Sequence, residues 1–66
     1  MHIPTPDELR ARRERLGIRQ TELAERAGIS QSMVARIEAG SVDPRTSTLR
    51  KIVNVLNTAE QSRMTA

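Results

Sequence analysis

Residues 28–40 read GISQSMVARIEAG, and their polar side chains suit recognition by hydrogen bonds and charge rather than the making or breaking of covalent bonds. At helical spacing Gln31, Ser32 and Arg36 fall towards one side of the stretch, and Val34 and Ile37 towards another. Gln offers both a donor and an acceptor, and Arg a planar fork of donors. A stretch that only packed a core would leave those polar positions open to any soluble residue. Covalent chemistry has no comparable candidate. The chain shows no nucleophile–base pairing, no metal-ligand spacing and no glycine loop that could cradle phosphate, so no enzyme, cofactor or metal is expected. It has no cysteine, and its one histidine, His2, lies in what should be a loose terminus.

Composition narrows the partner. Eleven basic residues against eight acidic give a net charge of +3, a weak preference for an anion. Every basic residue except Lys51 is Arg, whose fork holds phosphate or the guanine edge by two bonds where Lys acts as a point charge. A codon preference for Arg is the plain alternative. Aromatic residues are absent, and single strands and RNA loops are read largely by stacking on aromatic rings, so duplex DNA fits better. At 66 residues the chain makes one domain, which buries only about 60% of its unfolded surface and leaves no room for a cleft between lobes. No apolar run approaches the roughly 20 residues that span a bilayer, and the opening MHIPTP lacks the features of a signal peptide, so the expected place is the cytoplasm.

Four helices must position these residues. The first opens at Thr5-Pro6-Asp7-Glu8, a capping box, carries Leu9, Arg13 and Leu16 on one face and stops at Gly17. The second runs from about Gln20 to Ala27 with Leu23, Ala24 and Ala27 inward. Only Gly28, Ile29 and Ser30 separate it from the third, Gln31 to Ala39, which Ser30 caps and Gly40 closes. A turn that short suits two helices crossing steeply. After the loop GSVDPRT a fourth helix, about Thr46 to Asn57, should bury Leu49, Ile52, Val53 and Leu56. Residues 1–57 thus form the domain, and the polar residues 58–66 read as a tail, a linker, a frayed extension of the fourth helix or a short fifth helix.

Two short helices, a tight glycine turn and a polar face at the start of the second describe a helix-turn-helix. The segment LGIRQTELAERAGISQSMVARIEAGSVDP, Leu16 to Pro44, strongly resembles the phage-repressor and Cro family, also called the xenobiotic-response-element family. With Leu9 to Arg13 and Thr48 to Leu56 the likeness covers nearly everything up to Asn57. It implies an all-α, compact four- to five-helix bundle of the lambda-repressor-like type. The opening HIPTPDELRARR, the VDPRTSTLRKIV segment and the ending RMTA also resemble archaeal regulators that join this domain to a pair of CBS domains, and that likeness implies a sensor beyond the present C-terminus; the alternative is a small regulator or phage-type repressor complete in itself.

The resemblance assigns roles residue by residue. Gln31, Ser32 and Arg36 match base-reading positions, with Gln31 suited to adenine and Arg36 to guanine. Gln20 matches a residue that grips a phosphate and braces the first side chain of the recognition helix, and Arg19, Ser41, Arg45 and Thr46 are further phosphate candidates. Arg13 and Glu38 match a largely buried structural ion pair. Each exposed side chain has an ordinary solvated role as its alternative, and Arg36 could pair with Glu25. Arg19 stands where Ser, Thr or Asn commonly caps the second helix, and Arg45 likewise replaces a common Ser.

The expected function is sequence-specific binding of double-stranded DNA by a transcriptional regulator, most simply a repressor. A homodimer would meet a roughly palindromic site. The alternatives are a protein-interaction module on the same fold or the antitoxin of a toxin–antitoxin pair.

Overall fold

Local chemistry sets where each helix starts and stops. In the N-terminal helix, α1 (Pro6–Arg15), the Thr5 hydroxyl accepts from the Glu8 amide at 3.1 Å while the Glu8 carboxylate accepts from the Thr5 amide at 3.1 Å. Two donors that the helix itself leaves unpaired are thereby satisfied. Asp7 and Glu8 lie at the positive end of the helix dipole, and Arg12, Arg13 and Arg15 at the negative end. His2 adds a contact of 2.8 Å from its Nε2 to Glu8, so the terminus has a tether that its composition did not suggest.

The second helix, α2 (Gln20–Ala27), starts after Arg19 without any side-chain cap, and Glu22 pairs with Arg26 one turn on at 2.7 Å. It ends at Gly28, whose φ of 72° and ψ of 32° lie in the left-handed region, and the Ile29 amide closes back onto the Ala24 carbonyl at 3.0 Å. The Ser30 hydroxyl then accepts from the Met33 amide at 3.1 Å and opens the third helix, α3 (Gln31–Ala39). The fourth helix, α4, runs Thr46–Met64.

This is a computed structural model that describes residues 2–64, and the described residues contain these four helices and no strand. The architecture is the expected all-α bundle. α2 packs on α3 and α4, and α1 on α3 and α4. Leu9, Ile18, Leu23, Ala24, Ala27, Val34, Ile37, Ile52 and Leu56 form the buried core. Leu49 and Val53, expected in the core, are only half-buried. Leu49 lines an open hollow of about 540 Å³ with Ile3, Pro6 and Val42, and Val53 lies one step round the helix from the inward stripe of Ile52 and Leu56.

At the heart of the bundle the Arg13 guanidinium grips the Glu38 carboxylate by two hydrogen bonds, of 2.7 and 2.9 Å, and donates a third, of 2.8 Å, to the Ile18 carbonyl. Arg13 thus fixes the chain that enters α2 as well as α3. The hydrogen bonds to Glu38 outweigh the desolvation of Arg13 and hold its pKa above the usual range. No buried side-chain nitrogen or oxygen among the described residues lacks a partner.

Only the expected end of the last helix differs in the C-terminal part of the chain. Periodicity predicts that the last helix ends near Asn57, whereas α4 continues unbroken to Met64, so among the readings of the residues after it the helical extension is the one found; residues 65–66 lie outside those described. Polar tethers hold the extension in place. Arg12 donates to Glu60 at 2.9 and 2.7 Å and to the Asn57 side chain at 2.7 Å, and Arg63 donates to the Arg15 carbonyl at 2.6 Å. Such bonds have no apolar period, so the sequence pattern does not show them.

Two expectations follow for stability, both read by far-ultraviolet circular dichroism because the chain has no aromatic residue. At Gly28 an added Cβ would meet nothing within 4 Å, so the cost of Gly28→Ala is backbone strain alone, about 1–2 kcal/mol. The melting temperature should fall by roughly 5–15 °C. Hydrogen bonds from His2 and Arg12 hold the Glu8 and Glu60 carboxyls below their ordinary pKa. The unfolded chain therefore binds more protons than the folded one in mild acid. The contribution of these groups is complete above about pH 5 and is lost as pH falls through the lowered values. Glu60→Gln should flatten that acid slope.

Candidate nucleic-acid interface

The rotation of α3 about its own axis decides what faces solvent. Val34, Ile37 and Glu38 are buried, so Gln31 and Ser32 in the first turn and Arg36 one turn later remain exposed. Val34 and Ile37 press on the core, and Glu38 is held by Arg13 from α1, which leaves the helix no other setting. The half-buried Ile29, in the turn between the two helices, packs against the core.

Gln31 and Gln20 meet across that turn. Gln31 Nε2 donates to Gln20 Oε1 at 2.9 Å, and Gln20 Nε2 donates to Glu38 Oε1 at 3.1 Å. A continuous line of hydrogen bonds thus runs from the buried Arg13 to an exposed side chain at the tip of α3. The link between Gln20 and Glu38 has no counterpart in the sequence reading, which treats Glu38 only as the partner of Arg13. A signal for it did exist. Residues 31 and 38 are seven apart, close to two turns, so they share one stripe of α3.

The other site residues stand outside this line. Arg36, Arg19 and Arg45 are exposed, and among the described residues no hydrogen bond or ion pair engages their side chains. The pairing of Arg36 with Glu25 is therefore not formed. Ser32 is exposed in the first turn of α3, and Thr46 is the exposed first residue of α4. Ser41 is differently placed: its amide donates to the Arg36 carbonyl at 3.0 Å and its hydroxyl to the same oxygen at 3.2 Å. Both of its donors close the end of α3, and a bond from its hydroxyl to any other anion would require the hydroxyl to rotate away.

Chemically, these residues offer one amide pair, the hydroxyls of Ser32 and Thr46 and three unpaired guanidinium groups. Such a set binds anions and reads donor–acceptor patterns, and it contains no acid–base couple. No group of metal-ligating side chains occurs among the described residues, and no described helix is long and apolar enough to cross a membrane.

Comparison with known proteins agrees with this geometry. A family profile described as helix-turn-helix matches residues 9–61, from within α1 to within α4. Over 46 residues the chain is 44% identical to a Haemophilus influenzae protein named as an uncharacterized HTH-type transcriptional regulator, a match that takes in 70% of this chain and 47% of that protein. The chain spans about half the length of that relative. With the two helices, the glycine turn and the family profile all falling on the same residues, the chain belongs to the helix-turn-helix family, in its Cro-like, xenobiotic-response-element branch.

Proposed function

We propose that the chain binds double-stranded DNA sequence-specifically by setting α3 in the major groove, and that it serves in transcription regulation as a repressor acting by occlusion. The observation that carries this reading is the outward set on α3: Gln31 and Ser32 in the first turn, and Arg36 one turn on with its guanidinium unpaired. An Arg with no internal partner, on a helix whose opposite side is core, is available for the O6 and N7 of guanine, while Gln31 suits adenine. Ser32 is small and adds one further bond to a base edge.

Phosphate contacts flank the readers. Arg19 lies just ahead of α2, whose first-turn amides have no side-chain cap and point at any anion placed there. Gln20 is half-exposed beside it and keeps one amide hydrogen beyond the bond to Glu38. Arg45 and Thr46 supply a second point at the start of α4, and Ser41 joins them if its hydroxyl turns from the Arg36 carbonyl. Such contacts give affinity and register, and the bases give specificity. Two copies bound as a homodimer would place their recognition helices roughly 34 Å apart, one turn of DNA, on a palindromic site. The cytoplasm, where DNA is reached directly, is the compartment this function needs. The family match and the regulator named above support DNA binding over an interaction module.

The test is selection from a randomised duplex pool with densely immobilised protein, which offsets weak binding by a monomer. The wild-type chain should enrich a palindromic or tandem motif. Arg36→Ala should lose one base preference, worth roughly 1–3 kcal/mol, and leave the others in place. Arg19→Ala and Arg45→Ala should instead weaken all sequences alike and lower the slope of log affinity against log salt by about 0.9 each. A folded wild-type chain that enriches nothing overturns the proposal.

A further inference from the structure

The N-terminal arm and the loop after α3 place a projecting apolar residue beside an apolar hollow. Ile3 is a large apolar side chain left 70% exposed. The arm that carries it is held on both sides. His2 reaches the Glu8 carboxylate at 2.8 Å, the Thr5 amide donates to the same carboxylate at 3.1 Å, and Pro4 and Pro6 each fix a backbone angle. Ile3 is therefore presented at a set place, and seating it against a partner costs little further conformational entropy. Next to it opens the hollow of about 540 Å³, to whose lining Ile3 itself contributes together with Leu9, Ile37, Val42 and Leu49. Val42 and Leu49 are only half-buried, so the chain does not fully cover this apolar surface itself.

A face that carries a knob and a hole side by side is complementary to a second copy of itself, which is what a two-fold interface requires. Charge points to the same occupant. Asp43 lines the hollow, exposed, and no hydrogen bond or ion pair within the chain engages its carboxylate. In a loop that offers Ser41, Arg45 and Thr46 to phosphate, an acid taken alone opposes DNA. Across a two-fold axis it faces the same loop of another copy and offsets the unpaired Arg45 there, so two basic loops come together without net repulsion.

We propose that this face is where two copies of the chain meet, with Ile3 of each seated in the hollow of the other and Asp43 of each beside the other's Arg45. This rests on the homodimer proposed above and is independent of which bases α3 reads. Ile37 and Gly40, at the C-terminal end of α3, also line the hollow, so the contact sets how the two recognition helices lie relative to each other. Two knobs in two hollows make a small interface, below the area of a permanent dimer. Association in free solution should therefore be weak, and a DNA site that holds both copies should strengthen it.

Sedimentation equilibrium without DNA tests this, read by interference optics because the chain has no aromatic residue. The wild-type chain should form dimers with a dissociation constant between about 1 μM and 1 mM. Ile3→Asp changes an exposed residue outside every helix, so it should keep the circular dichroism melt and weaken association at least about tenfold. Asp43→Arg and Arg45→Asp remove no hydrogen bond of the fold. Each alone should weaken association about threefold, and the two together should restore it to within about twofold of wild type.

A wild-type chain that stays monomeric up to about 1 mM overturns the inference. So does a dimer that Ile3→Asp leaves unchanged, or a double exchange no better than the single reversals. Failure here is separable from failure of DNA reading. A monomeric chain that still enriches a motif loses only this interface, and a chain that dimerises through Ile3 yet enriches no sequence loses only the DNA reading.

Discussion

The rest of this structure depends on the buried ion pair between Arg13 and Glu38. Arg13 is only 9% exposed and Glu38 5%, and neither has a place in so small a core except with the other. Taking two charges out of water is costly, and the cost is met only when geometry is good and the remaining polar atoms are paired. Both conditions hold. The contact is two-toothed, the third Arg13 donor is taken by the Ile18 carbonyl, and the free oxygen lone pair of Glu38 is taken by Gln20. Leaving either charge without its partner would cost roughly 3–5 kcal/mol. That is comparable with the whole stability of a chain this size, roughly 3–10 kcal/mol.

The pair also sets geometry. Arg13 comes from α1, the Ile18 carbonyl from the connection into α2, and Glu38 from α3, so one guanidinium locks three helices in register. Leu9, Val34 and Ile37 belong to the apolar core that also holds α1 and α3, but apolar contacts are non-directional and would tolerate α3 turned by some degrees. The hydrogen bonds do not. A helix that must present side chains to a rigid partner within a fraction of an ångström gains from a directional lock more than from another methyl group.

Around this centre stability and recognition are kept apart. The tethers of Arg12 and Arg63 join α4 to α1 and involve none of the residues proposed to meet DNA. On the proposed DNA side, the guanidinium groups of Arg19, Arg36 and Arg45 are left without internal partners. Like charges held unpaired at a surface weaken a fold slightly, and an anionic partner relieves that repulsion on binding. The Gln31–Gln20 line is the point where the two halves meet, since it carries the order of the core out to the surface.

Much of this was legible in the residues alone. Thr5 with Glu8, Ser30, Gly28 and Gly40 mark helix ends by local rules that hold wherever such sequences occur, and the spacing of Leu23, Ala24 and Ala27 marks a buried face. The exposed setting of Ser32 and Arg36 follows from the same periodicity, because Val34 and Ile37 leave them only the opposite side, while Gln31 shares a stripe with Glu38 and is exposed as the first residue of α3. Three things required the tertiary structure. The length of α4 depends on Arg12 and Arg63, which reach 48 residues along the chain and carry no periodic signal. The half-burial of Leu49 depends on how the N-terminal segment and the loop after α3 leave a hollow beside it. The line of hydrogen bonds from Arg13 through Glu38 and Gln20 to Gln31 depends on three helices coming together. Sequence by itself determines what is near in the chain, namely caps, periods and the inventory of donors and acceptors. Which donor meets which acceptor is decided only when distant helices pack, because a hydrogen bond acts over about 3 Å and has a direction.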